Sequence, residues 1–191
     1  MTAIKKETRQ SILSRRIEKY ARQPVNCAQA TLMALRECHN LETGPILRAL
    51  SLFPCGTFSS ENPCGAVTAG ILAIGLAFGS EPLTDLKGMY DNMPQVLTYC
   101  RRISDELGGI TCRRIQKTEA HLSHDSADVS LNTRRNQHIN SLQRCARVMN
   151  TSARIADEII SAGKIRTDPV PEGIGHSVQQ GQTVGGTVTR E

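Results

Sequence analysis

The sequence predicts an all-α protein, and three observations support this class. Apolar residues recur at helical spacing along most of the 191-residue chain. No stretch shows the sustained alternation of apolar and polar residues that is typical of a half-buried strand. Aromatic residues make up only 3% of the chain and tryptophan is absent, so the core must be built from aliphatic and small side chains. Closely spaced helices pack such side chains most readily, which favours a compact single-domain bundle of about six to seven helices.

Capping residues and helix breakers place the first three helices. The first is predicted over Ala3 to Arg22, before Pro24 interrupts the pattern. Asn26 is a favourable N-cap for a second helix that runs to about Glu37. Gly44 and Pro45 then open a short third helix. Its apolar residues are Ile46, Leu47, Leu50 and Leu52.

The fourth and fifth helices have clear boundaries. Asn62 and Pro63 read as an N-cap followed by proline at the first helical position, which places Cys64 in the first turn. The fourth helix is apolar on every side, so we expect it to be the central helix of the domain. The fifth follows the turn at Pro82 and ends at the glycine pair Gly108-Gly109.

The remaining chain contains two helices and a tail. Thr111 caps a short sixth helix, and the polar segment 117–133 is predicted to be a loop. A last helix over about Arg134 to Ser161 places Cys145 on its apolar stripe. From Gly163 the composition is rich in Gly, Gln and Thr, which is typical of a disordered tail. The predicted organisation is therefore a cysteine-containing domain over 1–162 and a flexible tail over 163–191.

The charge pattern predicts a cytoplasmic protein without a membrane span. Residues 1–22 form a charged amphipathic stretch that lacks the apolar segment of a signal peptide. The uncharged run from Asn62 to Ser80 is diluted by polar residues and glycines, which favours a buried helix over a membrane span. Seven cysteines are an odd count, and in a reducing compartment cysteines more often bind metals, catalyse or pack than form structural disulfides.

Three cysteines stand at predicted helix starts. Cys27, Cys64 and Cys112 each follow a capping residue. The start of a helix carries a partial positive charge and unpaired N–H groups, which favour a thiolate and lower the thiol pKa. Arg113 and Arg114 act in the same direction at the sixth helix. The alternative is that these are ordinary small apolar residues, since cysteine is commonly buried.

The same cysteines carry a family resemblance. The segment Cys64 to Gly70, CGAVTAG, together with Cys27, Cys112 and Cys145, resembles the C_GCAxxG_C_C family of redox-active proteins. The resemblance implies a small helical domain with a redox role that uses these four cysteines. Two departures stand out: Ala69 occupies the last glycine position of the motif, and a thiol, Cys55, lies in a turn that is usually rich in glycine.

Two chemistries are compatible with these residues. Both imply a redox partner, which the sequence does not identify, and both leave open whether the protein is an oxidoreductase. Four thiolates could hold an iron–sulfur cluster or another metal for electron transfer, which is slightly favoured because it employs all four family cysteines. The absence of any C-x₂-C turn disfavours both zinc sites and ferredoxin-type clusters, and structural zinc more strongly. The alternative is thiol–disulfide chemistry with Cys64 as the attacking thiolate and Cys27, Cys55 or Cys112 as its partner. The sequence names no substrate and no electron donor.

Other residue patterns predict less. Arginine pairs and a net charge of +5 leave open a basic nucleic-acid-binding or regulatory module, but the chain has few aromatic residues for base stacking. Two further cysteines, Cys38 and Cys100, are interpreted as packing residues. A homodimer stays open. One polar cluster in the predicted loop could bind a metal but reads better as solvated; it comprises His121, His124, Asp125 and Asp128.

Overall fold

The computed structural model describes residues 7–54, 61–79, 85–119 and 145–163, with the side chains of 117–119 left out. Over these ranges the chain forms seven α-helices and no β-strand, so the predicted all-α class is confirmed. The helices are α1 (Arg9–Ala21), α2 (Cys27–His39), α3 (Gly44–Ala49) with a 3₁₀ turn (Leu50–Leu52), α4 (Gly65–Phe78), α5 (Leu86–Leu107), α6 (Cys112–Glu119) and α7 (Ala146–Ala162).

Helix α4 packs into the core along its first half, whereas most residues of its second half are half-buried or exposed. It packs against α2, α5 and α7, and its small residues allow these neighbours to approach closely. Ala66, Ala69 and Ala73 are fully buried. A Cβ atom at Gly70 would collide with the hydroxyl group of the buried Tyr99 on α5. Glycine at position 70 is therefore required by packing, one step beyond the last glycine position of the motif.

Three helices begin at the same end of the bundle. Arg9 at the start of α1 forms an ion pair with Asp157 near the end of α7, so these helices are antiparallel. The last turn of α2 also meets Asp157, through His39, so α2 runs parallel to α7. At the opposite end, a Cβ atom on Gly65, the first residue of α4, would lie 2.9 Å from the sulfur of Cys27. The starts of α2, α4 and α7 consequently lie together.

Several helix boundaries differ from the prediction. Pro63 is not the first residue of a helix, because it pairs with Thr111 in an isolated antiparallel bridge and α4 begins only at Gly65. A proline fits there because its missing N–H group is not needed by the bridge. Helix α2 continues to His39 instead of ending near Glu37. Leu52, an apolar residue of the predicted third helix, lies instead on the 3₁₀ turn that follows α3 and is 67% exposed.

The ends of α5 and α6 agree better with the sequence. Helix α5 ends at Leu107 with Gly108 in a left-handed conformation (φ 77°), as the glycine pair predicts. Thr111 caps α6 by accepting a hydrogen bond from the backbone N–H group of Arg114 at 3.3 Å. None of the described helices is both long and apolar enough to cross a membrane.

The prediction for the last helix is only partly tested. Its described part, α7, begins at Ala146, with Cys145 as the N-cap residue. Cys145 was expected within the helix on its inner stripe, and this is wrong because the chain is not helical at that residue. The predicted loop at 120–133, the predicted first half of the last helix and the predicted tail beyond Gly163 lie outside the described residues.

Candidate functional site

Three of the four motif cysteines meet at the end of the bundle where α2 and α4 begin. The thiol groups of Cys112 and Cys27 both hydrogen-bond to the sulfur of Cys64. All three residues are buried, with exposed fractions of 6% for Cys64 and Cys112 and 9% for Cys27. We refer to Cys27, Cys64 and Cys112 as the thiol cluster.

The isolated bridge positions two members of the cluster. The backbone N–H group of Cys64 donates to the carbonyl oxygen of Ile110 at 2.8 Å, and that of Cys112 donates to Asn62 at 3.1 Å. In an antiparallel pairing of this kind, residues 64 and 112 are diagonal neighbours on one face. Two helices therefore start side by side, each with a cysteine directed to the same space.

The third member is held by the cap of α2. Asn26 accepts a hydrogen bond from the N–H group of Gln29 and forms a reciprocal capping box with it. The Asn26 amide also donates to the carbonyl of Leu50 at 2.7 Å, which fixes the 3₁₀ turn against the start of α2. A Cβ atom on Gly65 would lie 2.7 Å from the Phe53 carbonyl oxygen. The absence of a side chain at Gly65 thus lets α4 approach both this turn and Cys27.

The electrostatic surroundings lower the pKa of Cys64 well below that of an ordinary thiol. The largest cause is the hydrogen bond from Cys112, followed by that from Cys27; burial opposes both. The backbone N–H groups of Ala66 and Val67 lower the pKa further, although neither forms a capping hydrogen bond of standard geometry with the side chain. Cys64 is the N-cap residue of α4, two helix positions earlier than predicted, and it still lies at the positive end of the helix.

Gln116 is a neighbour of the cluster that the sequence did not reveal. Its side-chain amide donates a hydrogen bond to the sulfur of Cys112 at 2.9 Å. Because the Cys112 sulfur accepts this bond with a lone pair, the Cys112 thiol proton remains available for Cys64. Gln116 follows Cys112 by one helical turn, and that spacing is the signal that could have identified it.

Tyr99 was also missed. It lies on α5, is fully buried, and covers Gly70 of α4. Burial raises the pKa of Tyr99, and the negative charge of Cys64 raises it further. Tyr99 therefore stays protonated and forms part of the low-dielectric wall near the cluster.

The other cysteines have different surroundings. Cys145, at the start of α7, lies at the same end of the bundle as the cluster and is half-buried. Cys38 lies in the last turn of α2, and burial raises its pKa although Arg16 donates a hydrogen bond to its sulfur at 2.8 Å. Burial also raises the pKa of Cys100 on α5. Both are half-buried packing residues. Cys55 lies outside the described residues.

Several basic side chains among the described residues form ion pairs with carboxylates. Each arginine pair that the structure describes contains at least one arginine in an ion pair. The ion pairs that these arginines form are Arg15 with Glu7, Arg16 with Glu37, Arg102 with Glu158 and Arg113 with Glu61. Such neutralised arginines do not form a continuous basic surface for a phosphate backbone.

The metal prediction finds no support in the described residues. Over these ranges, no group of three or more His, Cys, Asp or Glu side chains has the arrangement needed to hold a metal ion. The iron–sulfur cluster stays a prediction. The loop cluster that begins at His121 and ends at Asp128 lies outside the described residues.

Comparison with known proteins gives a single result. The sequence model of one family, described as "Putative redox-active protein (C_GCAxxG_C_C)", matches residues 25–159 of the 191-residue chain. No curated protein and no solved structure matches the chain. The matched segment includes Cys27, Cys64, Cys112 and Cys145 and covers well over half of the sequence. The chain therefore belongs to the C_GCAxxG_C_C family of redox-active proteins.

Proposed function

We propose that this redox-active protein is a thiol–disulfide oxidoreductase in which Cys64 is the attacking thiolate. The observation that carries the proposal is the pair of hydrogen bonds that Cys64 receives from the thiols of Cys112 and Cys27. A thiolate is the nucleophilic form of cysteine, and a neighbouring thiol is the group that resolves its products. The geometry thus supplies an activated sulfur and two candidate resolving sulfurs in contact with it.

In the first step, the Cys64 thiolate attacks one sulfur of a disulfide, R–S–S–R′. An S–S bond forms between Cys64 and the RS group, giving the mixed disulfide Cys64–S–S–R, while the S–S bond of the substrate breaks and R′S⁻ leaves with the electron pair. The thiol proton of Cys112 or Cys27, no longer needed at Cys64, is transferred to the leaving group. This transfer converts the resolving residue into a thiolate as its reaction begins.

In the second step, this new thiolate attacks Cys64. A disulfide forms between Cys64 and the resolving cysteine, and RS⁻ leaves and takes a proton from water. The sum is the reduction of one disulfide to two thiols, balanced by oxidation of two protein thiols to one disulfide. An external dithiol regenerates the protein by the reverse exchange.

The burial of the cluster restricts the substrate. With 6% of its surface exposed, Cys64 is reached by a small molecule more readily than by a folded protein. We propose that the substrate is a low-molecular-weight disulfide. The neutralised arginines argue against the nucleic-acid-binding alternative.

The experiment begins with anaerobically purified, reduced protein treated with oxidised glutathione. Mass spectrometry should detect glutathione on Cys64, followed by a disulfide from Cys64 to Cys112 or Cys27. The Cys64→Ser variant should form neither product, whereas Cys38→Ser should behave like the wild type. Cys112→Ser and Cys27→Ser are compared next. The variant that keeps glutathione on Cys64 but forms no internal disulfide lacks the resolving residue. A brown protein that contains iron and acid-labile sulfide would overturn the proposal in favour of a cluster.

A further inference from the structure

Helix α5 exposes a continuous apolar row. Six large apolar side chains are exposed among the residues that the structure describes, and five of them lie on the first three turns or so of this helix. Isolated exposed apolar residues are ordinary, but contiguous ones indicate an interaction surface. We call these five residues the α5 stripe: Leu86, Met89, Tyr90, Met93 and Leu97.

The same part of α5 directs small and polar residues towards the bundle. Gly88 and Asn92 are half-buried on the inner side, and the first fully buried residue of the helix is Gln95. In a helix that packs on one core, the apolar side faces inward. Here the distribution is reversed, with Met89 and Met93 more exposed than the polar Gln95. A second apolar partner on the outer side accounts for this reversal.

The stripe is complementary to itself. Residues spaced by four along α5 form one ridge, and this ridge is symmetric about Met93. An antiparallel second copy would place Met89 of each subunit opposite Leu97 of the partner subunit, so this contact would occur twice. It would also place the exposed Arg101 opposite Asp85 of the partner subunit. At each end of the ridge, an acidic residue of one copy therefore lies opposite a basic residue of the other.

We propose that two copies of the chain associate through the α5 stripe, antiparallel, with a two-fold axis at Met93. Such an interface is isologous, as in most soluble dimers. Asp85 and Arg101 lie eight residues from the axis, about 12 Å along the helix. When the four-residue ridges of both helices pack together, the helices cross at about 50°, and this crossing lays the two ridges along each other so that Arg101 faces Asp85 of the partner subunit.

Charge and polarity favour a second copy over a membrane surface. The ridge ends in one acidic and one basic residue, and Lys87 at its flank is paired with Asp91. A membrane-binding face would carry an excess of basic residues beside the apolar row. The described flanks of the stripe show no such excess.

Sedimentation equilibrium of the full chain, under reducing conditions, tests the proposal. The wild type should be dimeric at tens of micromolar. Met93→Glu places two like charges at the axis, and the dissociation constant should rise by at least roughly a hundredfold. Arg101→Glu should raise the dissociation constant by roughly tenfold. Added salt should weaken the wild-type dimer but strengthen the dimer of this variant, because it screens an attraction in the first and a repulsion in the second. Circular dichroism should show that both variants stay folded, because residues 93 and 101 are exposed.

Leu52→Glu is the matched control. Leu52 is the sixth exposed apolar residue, at 67%, and lies on the 3₁₀ turn outside the stripe, so this variant should remain dimeric. The register places Cys100 opposite Leu86 of the partner subunit, so the dimer should not depend on a disulfide. A wild type that is monomeric at several hundred micromolar, a Met93→Glu variant that dimerises normally, or a dimer abolished by reductant would each overturn the proposal.

Discussion

The two ends of α2 place thiols in opposite environments. At its start, the thiol cluster lowers the pKa of Cys64 well below the ordinary value. In its last turn, Cys38 receives a hydrogen bond from Arg16, yet its pKa is raised. Burial opposes the thiolate at both sites, so burial does not explain the difference. At Cys38, burial outweighs the effects of Arg16 and Arg9, whereas at Cys64 two thiol donors and the N–H groups of a helix start outweigh burial.

The surroundings of Cys38 also contain negative charge. Asp157 raises the pKa of Cys38, and the end of a helix carries a partial negative charge that disfavours a thiolate. Asp157 itself accepts hydrogen bonds from Arg9 at 2.7 Å and His39 at 2.8 Å. This Asp157 network joins the ends of α1, α2 and α7. One end of the bundle therefore holds the thiol cluster, and the other holds a network of charged side chains that joins three helices.

The largest expected effect is a difference in alkylation rate between Cys64 and Cys38. At pH 6.5 an ordinary thiol of pKa about 8.5 is only about 1% thiolate, whereas a thiol of strongly lowered pKa is mostly ionised. In reduced, metal-free protein, iodoacetamide should modify Cys64 more than roughly tenfold faster than Cys38 at that pH. Because Cys38 ionises as the pH rises, the ratio should shrink by pH 9. Residue-resolved mass spectrometry measures both rates.

The control for access is the unfolded protein, in which both thiols should react with the pH profile of a free cysteine. If native Cys64 follows that same profile while remaining accessible, its thiolate is not stabilised. The thiol cluster would then be a set of core residues, and the contrast between the two ends of α2 would disappear.

A smaller effect is expected from Gly65→Ala. A Cβ atom would lie 2.7 Å from the Phe53 carbonyl and 2.9 Å from the Cys27 sulfur, so the backbone of α4 must shift. We expect a loss of about 1–3 kcal/mol in the free energy of unfolding. The alkylation advantage of Cys64 should also fall, because its hydrogen bond from Cys27 is displaced. Urea unfolding and the alkylation assay measure these two effects.

Gly75→Ala is the matched control in the same helix. Nothing lies within 4 Å of a Cβ atom at Gly75, so alanine should be neutral or stabilise α4 by up to about 1 kcal/mol. Equal stability of the two variants would show that the close approach at Gly65 is not needed for the cluster.

The sequence predicted features whose signals are local. Asn26 was identified as the cap of α2, and the structure shows it with a full capping box. The glycine pair was identified as the end of α5, and Gly108 has the left-handed conformation expected there. Each of these depends on residues within a few positions of one another, so the pattern alone is sufficient.

Features that depend on distant residues were not predicted. The bridge between Pro63 and Thr111 joins residues 48 positions apart, and no local pattern indicates it. Without the bridge, Pro63 reads as the first residue of a helix, which places the start of α4 two residues too early. The spacing of the α5 stripe predicts a helix correctly but not which side faces the bundle. That side is set by Tyr99 and Gly70, which meet only in the folded chain.

The smallest expected effect concerns the other end of α2. Burial alone would raise the pKa of Asp157, but hydrogen bonds from His39 and Arg9 outweigh it and lower the pKa below the usual value. A carboxylate with a lowered pKa in the folded state stabilises the protein above the pKa of the unfolded chain, about 4. This contribution is lost as the pH falls through the lower, folded-state value. Asp157→Asn should therefore cost about 2 kcal/mol at pH 7 and much less near pH 2.

The comparison of Asp157→Asn with a surface variant isolates the network. Asp91 pairs with Lys87 on the exposed side of α5, with side chains 54% and 84% exposed, so Asp91→Asn should change stability by less than about 0.5 kcal/mol at any pH. Urea unfolding between pH 2 and 7 measures both variants. The alkylation rate of Cys64 should be the same in both as in the wild type, because the network lies at the opposite end of α2. If Asp157→Asn lowers the free energy of unfolding by the same amount at every pH, Asp157 acts through packing. Its charge disappears at the acidic end of this range, whereas its packing does not depend on pH. A slower Cys64 would mean that the two ends of the helix are coupled, and the division between a reactive end and a structural end would fail.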